Sequence, residues 1–491
     1  MPAAERRDPT PPLRIAHVAL VRPAFKGDAA RAARRSREGV RALVERLGAV
    51  LIEPDGGAAR HPRGGAAFPA GVVSDEAEAH AVAAAVTAAD VDLLLLQHVT
   101  FATGELVAPL IEAAPRLAVW ASPEPGPGRG PLPFNALCGM QMTLSLLDAP
   151  PLQRDDPVRW FHGEVDEARF ARPFATTVAA VRAARAVATA RVLRIGGTAP
   201  GFYALEEAPA ALAGATVVDR SLADLFDATR AVSDGEAEAR AAAAREGHQV
   251  EVDADTLLRG ARIEAALERL ADDARADALA VRCWPEIPDR CDAMACAAMG
   301  TLAGRGRPAA CEGDLMGALS MLALQAAADG PAILMDLSDL DERDEALQLW
   351  HCGNAPAAWA DPHGPTPRLT THFNRDGVGP VRDETLAPGP VTGFRLVDGG
   401  HAAVVAGGTL AGVEREGFDG VRGWWRELTW ADRPLGVRRF LAELLEQRIP
   451  HHLAFAHGDH RAALAEATRW LGATVRPLEA RPFADEAAGV S

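Results

Sequence analysis

Two acids and a histidine-rich segment are the residues of this sequence most able to do chemistry. The first acid lies in Cys311-Glu312-Gly313-Asp314-Leu315, where a strand hands over to a helix with apolar positions Leu315, Leu319 and Leu322. In an α/β sheet such a carboxylate stands at the C-terminal edge of a strand, where ligands bind. A carboxylate serving the free N–H groups of a helix start would occupy the same place. The second acid ends the apolar run Ala332-Ile333-Leu334-Met335-Asp336, 24 positions after Glu312 with one helix between. Strand, helix and strand read as a βαβ unit, so the two strands are expected to be parallel and close in one sheet. Asp336 alone could simply open the acidic stretch Leu337–Asp341. As a pair, the two anions repel unless a cation or a proton lies between them.

The histidines are His451, His452, His457 and His460, after Pro450. On a regular strand His451 and His452 face opposite ways, so only one of them enters a given cavity. One imidazole with two carboxylates suits a divalent cation with open positions, and oxygen-rich ligation favours Mn²⁺ or Mg²⁺ over a structural zinc. His351, in Trp350-His351-Cys352-Gly353-Asn354, sits in a sequence typical of a tight loop, where a capping or packing role is equally open. Arg22 follows the first strand and is placed either to meet a polar ligand at the sheet edge or to be solvated. Trp424 and Trp425 could stack on a sugar ring or fill a core. The turn Gly196–Gly201 lacks the GxGxxG order of a nucleotide loop and reads as a tight turn.

Composition removes several classes. The chain has 491 residues, and at ~150 per domain that suggests about three domains. A net charge of −16 excludes a nucleic-acid binder that relies on a broad basic surface. Lys26 is the only lysine, which sets aside Schiff-base chemistry and the Walker phosphate loop. None of the six cysteines forms a CxxC pair, so reduced thiols and a cytoplasmic protein are expected. Residues 1–12 are polar and Pro-rich, and Ile15–Val21 is too short for a signal core. Val91–Gln97, the strongest apolar run, falls far below the ~20 residues of a membrane span.

The elements that must position these residues follow from pattern. Ile15–Val21, Ala49–Ile52, Leu93–Leu96 and Leu117–Ala121 are compact apolar runs expected as buried parallel strands. Asp28–Leu47 and Asp75–Ala89, rich in helix formers, lie between them. A second alternation runs through Ala190–Ile195, Thr216–Val218, the helical Asp255–Asp273, Ala278–Cys283 and Ala309–Cys311. After Gly330, the segments Val391–Val397, His401–Val405, Gly423–Thr429 and His452–Ala456 alternate or carry aromatics, as in an antiparallel barrel. The expected fold is therefore α/β, with two Rossmann-like parallel-sheet domains (1–170 and 171–330) and a C-terminal, mostly antiparallel barrel-like domain (331–491).

In order along the chain, these segments resemble the L-fucose isomerase / L-arabinose isomerase family of metal-dependent sugar isomerases. The resemblance rests on Arg22-Pro23, Glu312-Gly313-Asp314, Asp336 and the C-terminal histidines. It implies Glu312, Asp336 and His452 as ligands of Mn²⁺ (alternatively Mg²⁺ or Co²⁺), with His451 in reserve and His351 similar to a histidine that helps hold the metal in the arabinose branch. It also implies a homo-oligomer, a hexamer, with active sites shared between subunits and Arg22, Trp425 and His451 at the sugar.

The implied reaction interconverts an aldose and a ketose by moving a proton between C1 and C2 through a metal-stabilised enediol. Glu312 and Asp336 then serve both as ligands and as proton-transfer groups. Another metal-dependent carbohydrate enzyme, or a sugar-binding homologue without catalysis, would share the same residues.

Overall fold

The computed structural model describes residues 11–55, 70–126, 128–206, 213–412 and 417–478. The polypeptide divides into two compact units, Met1–Val181 and Arg182–Ser491. The first unit is built on a parallel sheet with strand order Val50–Ile52, Arg14–Leu20, Leu93–His98, Leu117–Ala121, Arg159–His162, and Val72–Val73 also pairs with Arg14–Leu20. Leu93–His98 is buried along its whole length, as a central strand covered on both faces must be. Helices Ala29–Arg46 and Glu76–Ala88 start at Asp28 and Asp75, whose carboxylates accept the N–H groups of Arg31 and Glu78. Polar residues inside this sheet pair with one another: His17 donates to Gln97 at 2.9 Å, and the Gln97 amide donates to Ser36 and Ser122.

The second unit begins with a four-stranded parallel sheet in the order Ala309–Ala310, Ala278–Val281, Arg191–Ile195, Thr216–Arg220. Strand order reverses between Arg191–Ile195 and Ala278–Val281, the kind of switch point where α/β sheets open a crevice at their carboxyl ends. A larger, mostly antiparallel sheet follows. Six of its strands pair in a closed circuit: Ile333–Asp341, Ala346–His351, Val421–Trp430, Ala402–Ala411, Gly389–Val397 and Leu453–His457, back to the first. Its interior is filled by Trp425 between Phe440 and Phe455, with ring centroids 5.0 and 5.1 Å away, and by Ile333, Leu349 and Val404. Closure leaves these six strands without a free edge among themselves.

The architecture corrects two local expectations. Helix Leu315–Ala328 joins two different sheets: the strand before it lies in the parallel sheet, and the strand after it pairs antiparallel with Ala346–His351 and Leu453–His457. Glu312 and Asp336 are thus not on parallel partners of a βαβ unit. A helix apolar on nearly all sides, as this one is, can be covered by a sheet from each direction. Nor does Asp336 end its strand, which continues to Asp341 with a bulge between Leu337 and Asp339. The acids in that stretch alternate with apolar residues, and the alternation keeps the strand going. The described cysteines are all free, and among the described residues no helix is long and apolar enough to cross a membrane. Residues 1–10 of the polar N-terminal run lie outside the described residues.

Candidate active site

Glu312 owes its position to a strained turn. Its own φ is +59° and that of Gly313 is +76°, both in the left-handed region. Glycine is required at 313 because a Cβ there would come within 2.1 Å of the Gly197 carbonyl oxygen. The 196–201 turn, a tight turn as its sequence suggests, buttresses this one: Ala199 N–H donates to the Glu312 carbonyl at 2.9 Å. Gly313 N–H reaches back to Val281 at 3.0 Å. The turn therefore sits at the carboxyl ends of the parallel strands. Non-glycine residues held at positive φ cluster at functional sites, where the surrounding fold sustains the strain.

Asp314 plays two parts. Its Oδ1 accepts the N–H of Gly317 at 2.7 Å, capping helix Leu315–Ala328. Its Oδ2 accepts from Nδ1 of His452 at 2.9 Å, and Arg395 grips both oxygens, one of them at 3.0 Å. All three residues are closed to solvent, with side-chain exposures of 0% for Asp314 and His452 and 2% for Arg395. Burial works against ionisation of Asp314. The Arg395 guanidinium and the His452 N–H outweigh it and hold the carboxyl well below its usual range.

That hydrogen bond fixes the tautomer of His452. With Nδ1 donating to Asp314, Nε2 of the neutral ring presents a lone pair. Nε2 lies 3.6 Å from Glu312 Oε2 and 3.7 Å from Asp336 Oδ1. Asp336 Oδ1 is buried and has no hydrogen-bond partner. Each of the two acids thus brings a carboxylate oxygen toward that lone pair. A carboxylate behind the imidazole is also the usual outer partner of a metal-bound histidine. Among the described residues, Glu312, His451 and His452 each bring one ligand atom within 4.8 Å of the other two and could hold a cation, whereas Asp336 belongs to no such group. Glu312 and Asp336 keep 19% and 28% of their side-chain surface open, so the cluster is closed behind and accessible in front.

His451 and His452 precede strand Leu453–His457 rather than lying in it. Strand alternation does not separate them, and their rings are 4.2 Å apart. His451 Nε2 is 3.2 Å from Glu312 Oε2, and Phe202 packs near its ring at 5.9 Å. The Glu312 hydrogen bond, against the effect of burial, holds the His451 imidazole above its ordinary pKa. His351 stacks on His452 at 5.7 Å, yet its nitrogens meet sulfur: Nε2 is 3.1 Å from Cys311 Sγ, and Nδ1 accepts the Cys352 N–H at 2.8 Å. Burial lowers its pKa, and Cys352 and Asp336 more than offset that, for a net rise.

Other expected residues have the following surroundings. Trp425 is fully buried inside the closed sheet, the core alternative of its two sequence readings. His457 stacks on Trp359 at 3.9 Å, and His460 Nε2 contacts the His457 carbonyl oxygen at 2.9 Å. Arg22 follows strand Arg14–Leu20 in the first unit, where its N–H donates to Thr100 Oγ1 at 2.7 Å. Sequence reasoning passed over Asp314 and Arg395 as functional residues. The signal was an arginine in the otherwise apolar strand VTGFRLV, which a folded protein tolerates only with a buried anion beside it.

No family model matches the chain. It is 28% identical over 393 residues to a sulfoquinovose isomerase of Priestia megaterium, spanning 78% of this chain and 84% of that protein. A sulfoquinovose isomerase of Alkalicoccus urumqiensis is 27% identical over 396 residues, 79% and 86% of the two chains. One from a Clostridium species is 25% identical over 315 residues, 62% and 68%. These relatives support an enzyme, and in general an aldose–ketose isomerase of the sugar isomerase kind, akin to the fucose and arabinose isomerases.

Proposed function

We propose that this protein is a metal-dependent aldose–ketose isomerase whose sugar is a sulfonated hexose of the sulfoquinovose kind. The observation that carries the reading is the approach of Glu312 Oε2 and Asp336 Oδ1 to His452 Nε2, at 3.6 and 3.7 Å, with Asp336 Oδ1 buried and unpartnered. The names of the relatives point to the sugar. Glu312, Asp336 and His452 hold Mn²⁺, or Mg²⁺ or Co²⁺ in its place. Such an ion, when bound, polarises a sugar carbonyl and stabilises the negative charge that develops on its oxygen.

The chain's own groups do the rest. The carboxylates of Glu312 and Asp336 hold and move the proton that passes between C1 and C2. Asp314, clamped by Arg395, keeps the proton of His452 on Nδ1 and so leaves Nε2 free to bind. His451 orients the Glu312 carboxylate and lines the open side with Phe202. We further read the enzyme as a cytoplasmic homo-oligomer, a hexamer, in which Arg22 of another copy completes the sugar site. Sedimentation of the purified protein tests the assembly.

The test of the activity is direct. Purified protein with Mn²⁺ should convert sulfoquinovose to its ketose, and Glu312→Gln should abolish turnover while leaving the melting curve unchanged. Full activity in that variant contradicts the assignment.

A further inference from the structure

A second group of side chains able to hold a metal ion is Cys296, Cys352 and His372. Cys296 opens helix Cys296–Gly304, Cys352 follows strand Ala346–His351, and His372 lies in the short bridge His372–Arg375. One donor atom from each lies within 4.8 Å of the other two. The Cys296 and Cys352 sulfurs are 3.5 Å apart. Two thiolates bonded to a tetrahedral zinc at ~2.3 Å stand roughly 3.8 Å from each other, so little movement is needed to close the site. Cys296 and His372 are buried, and Cys352 is half-buried. His372 Nδ1 accepts the N–H of Asn374 at 3.4 Å, which holds the ring in place.

We propose that Cys296, Cys352 and His372 form a zinc site. Two sulfurs and an imidazole with no carboxylate select a borderline or soft cation over Mn²⁺ or Mg²⁺. On binding, the two thiols release their protons to solvent, and the two thiolates balance the charge of Zn²⁺, so a neutral cluster is buried. The ion ties a helix, a strand end and a bridge together beside His351, whose Nδ1 is 3.3 Å from Cys352 Sγ. The inference rests on these three residues and is independent of the isomerase reading.

Co²⁺ added to the reduced, purified full chain is the probe. A sulfur-to-cobalt charge-transfer absorption is expected in the parent protein and in Cys311→Ala, and its loss is expected in Cys296→Ser and in Cys352→Ser. Cys311 is the control because its sulfur lies 3.6 Å from His452 Nε2, within the first cluster. No such absorption in the parent protein, or one lost in Cys311→Ala and kept in Cys296→Ser, overturns the proposal. Should the serine variants fail to fold, X-ray absorption of the zinc-loaded parent decides. Two sulfur neighbours at ~2.3 Å support the site, and oxygen and nitrogen neighbours alone refute it.

Discussion

Nδ1 of His452 and Oδ2 of Asp314 are 2.9 Å apart in the interior of the second unit, and this single contact sets which nitrogen of the histidine faces the acids. Asp314→Asn removes the charge that Arg395 and His452 both depend on. Breaking such a buried pair costs ~3–5 kcal/mol, and losing the outer carboxylate of a metal-bound histidine weakens metal binding ~10–100-fold. Thermal melts and calorimetric Mn²⁺ titration should show both losses. Unchanged metal affinity in a folded variant would mean that Asp314 acts only as a helix cap.

The two adjacent histidines should separate cleanly. His452→Ala is expected to abolish metal binding and turnover together. His451→Ala, which removes a half-exposed ring from Glu312, should bind metal and lose mainly turnover. Metal content and kcat of the two variants check this, and equal loss of metal in both would contradict it.

Gly313→Ala forces a Cβ toward the Gly197 carbonyl oxygen at a residue with φ of +76°. The turn must shift, at a cost of about 1–3 kcal/mol, and Glu312 shifts with it. A lowered melting temperature with greatly reduced turnover is the expected pair of results. Parent-like kinetics would show that the turn does not position Glu312.

The first unit should be acid-sensitive above the carboxylate range. Burial, with Arg37 nearby, pushes the His17 pKa down to about 3, and burial takes His98 to about 4. Both folded-state values lie below the ~6.5 of an unfolded histidine. The unfolded chain therefore binds more protons between these values, and stability falls as pH drops from ~6.5 toward 4, by ~1.4 kcal/mol per pH unit for each ring. Urea melts at pH 7.5 and pH 5 measure the slope, and His98→Gln should flatten it by about half.

Much of this was legible in the sequence, for physical reasons that also explain the gaps. Buried parallel strands such as Leu93–His98 and Leu117–Ala121 announce themselves because both faces are apolar, and helix Ala29–Arg46 because Asp28 marks its start. Glu312 stood out as a carboxylate at a strand-to-helix turn. Less visible was the strand pairing. Whether Ile333–Asp341 joins the parallel sheet or the antiparallel one depends on contacts with Leu453–His457, more than a hundred residues later, which local pattern does not encode. The orientation of His451 and His452 depended in turn on where that later strand begins. Asp314 escaped notice because a cap residue and an outer-sphere partner look the same in one dimension.

The central claim, that these acids move a proton between neighbouring sugar carbons, is tested most directly in D₂O. Sulfoquinovose incubated with the Mn²⁺-loaded protein and followed by NMR should exchange the C2 proton of the remaining aldose for deuterium and take deuterium at C1 of the ketose, and Glu312→Gln should suppress both changes. Retention of the C2 proton with no ketose formed, in a folded and metal-loaded protein, contradicts the account.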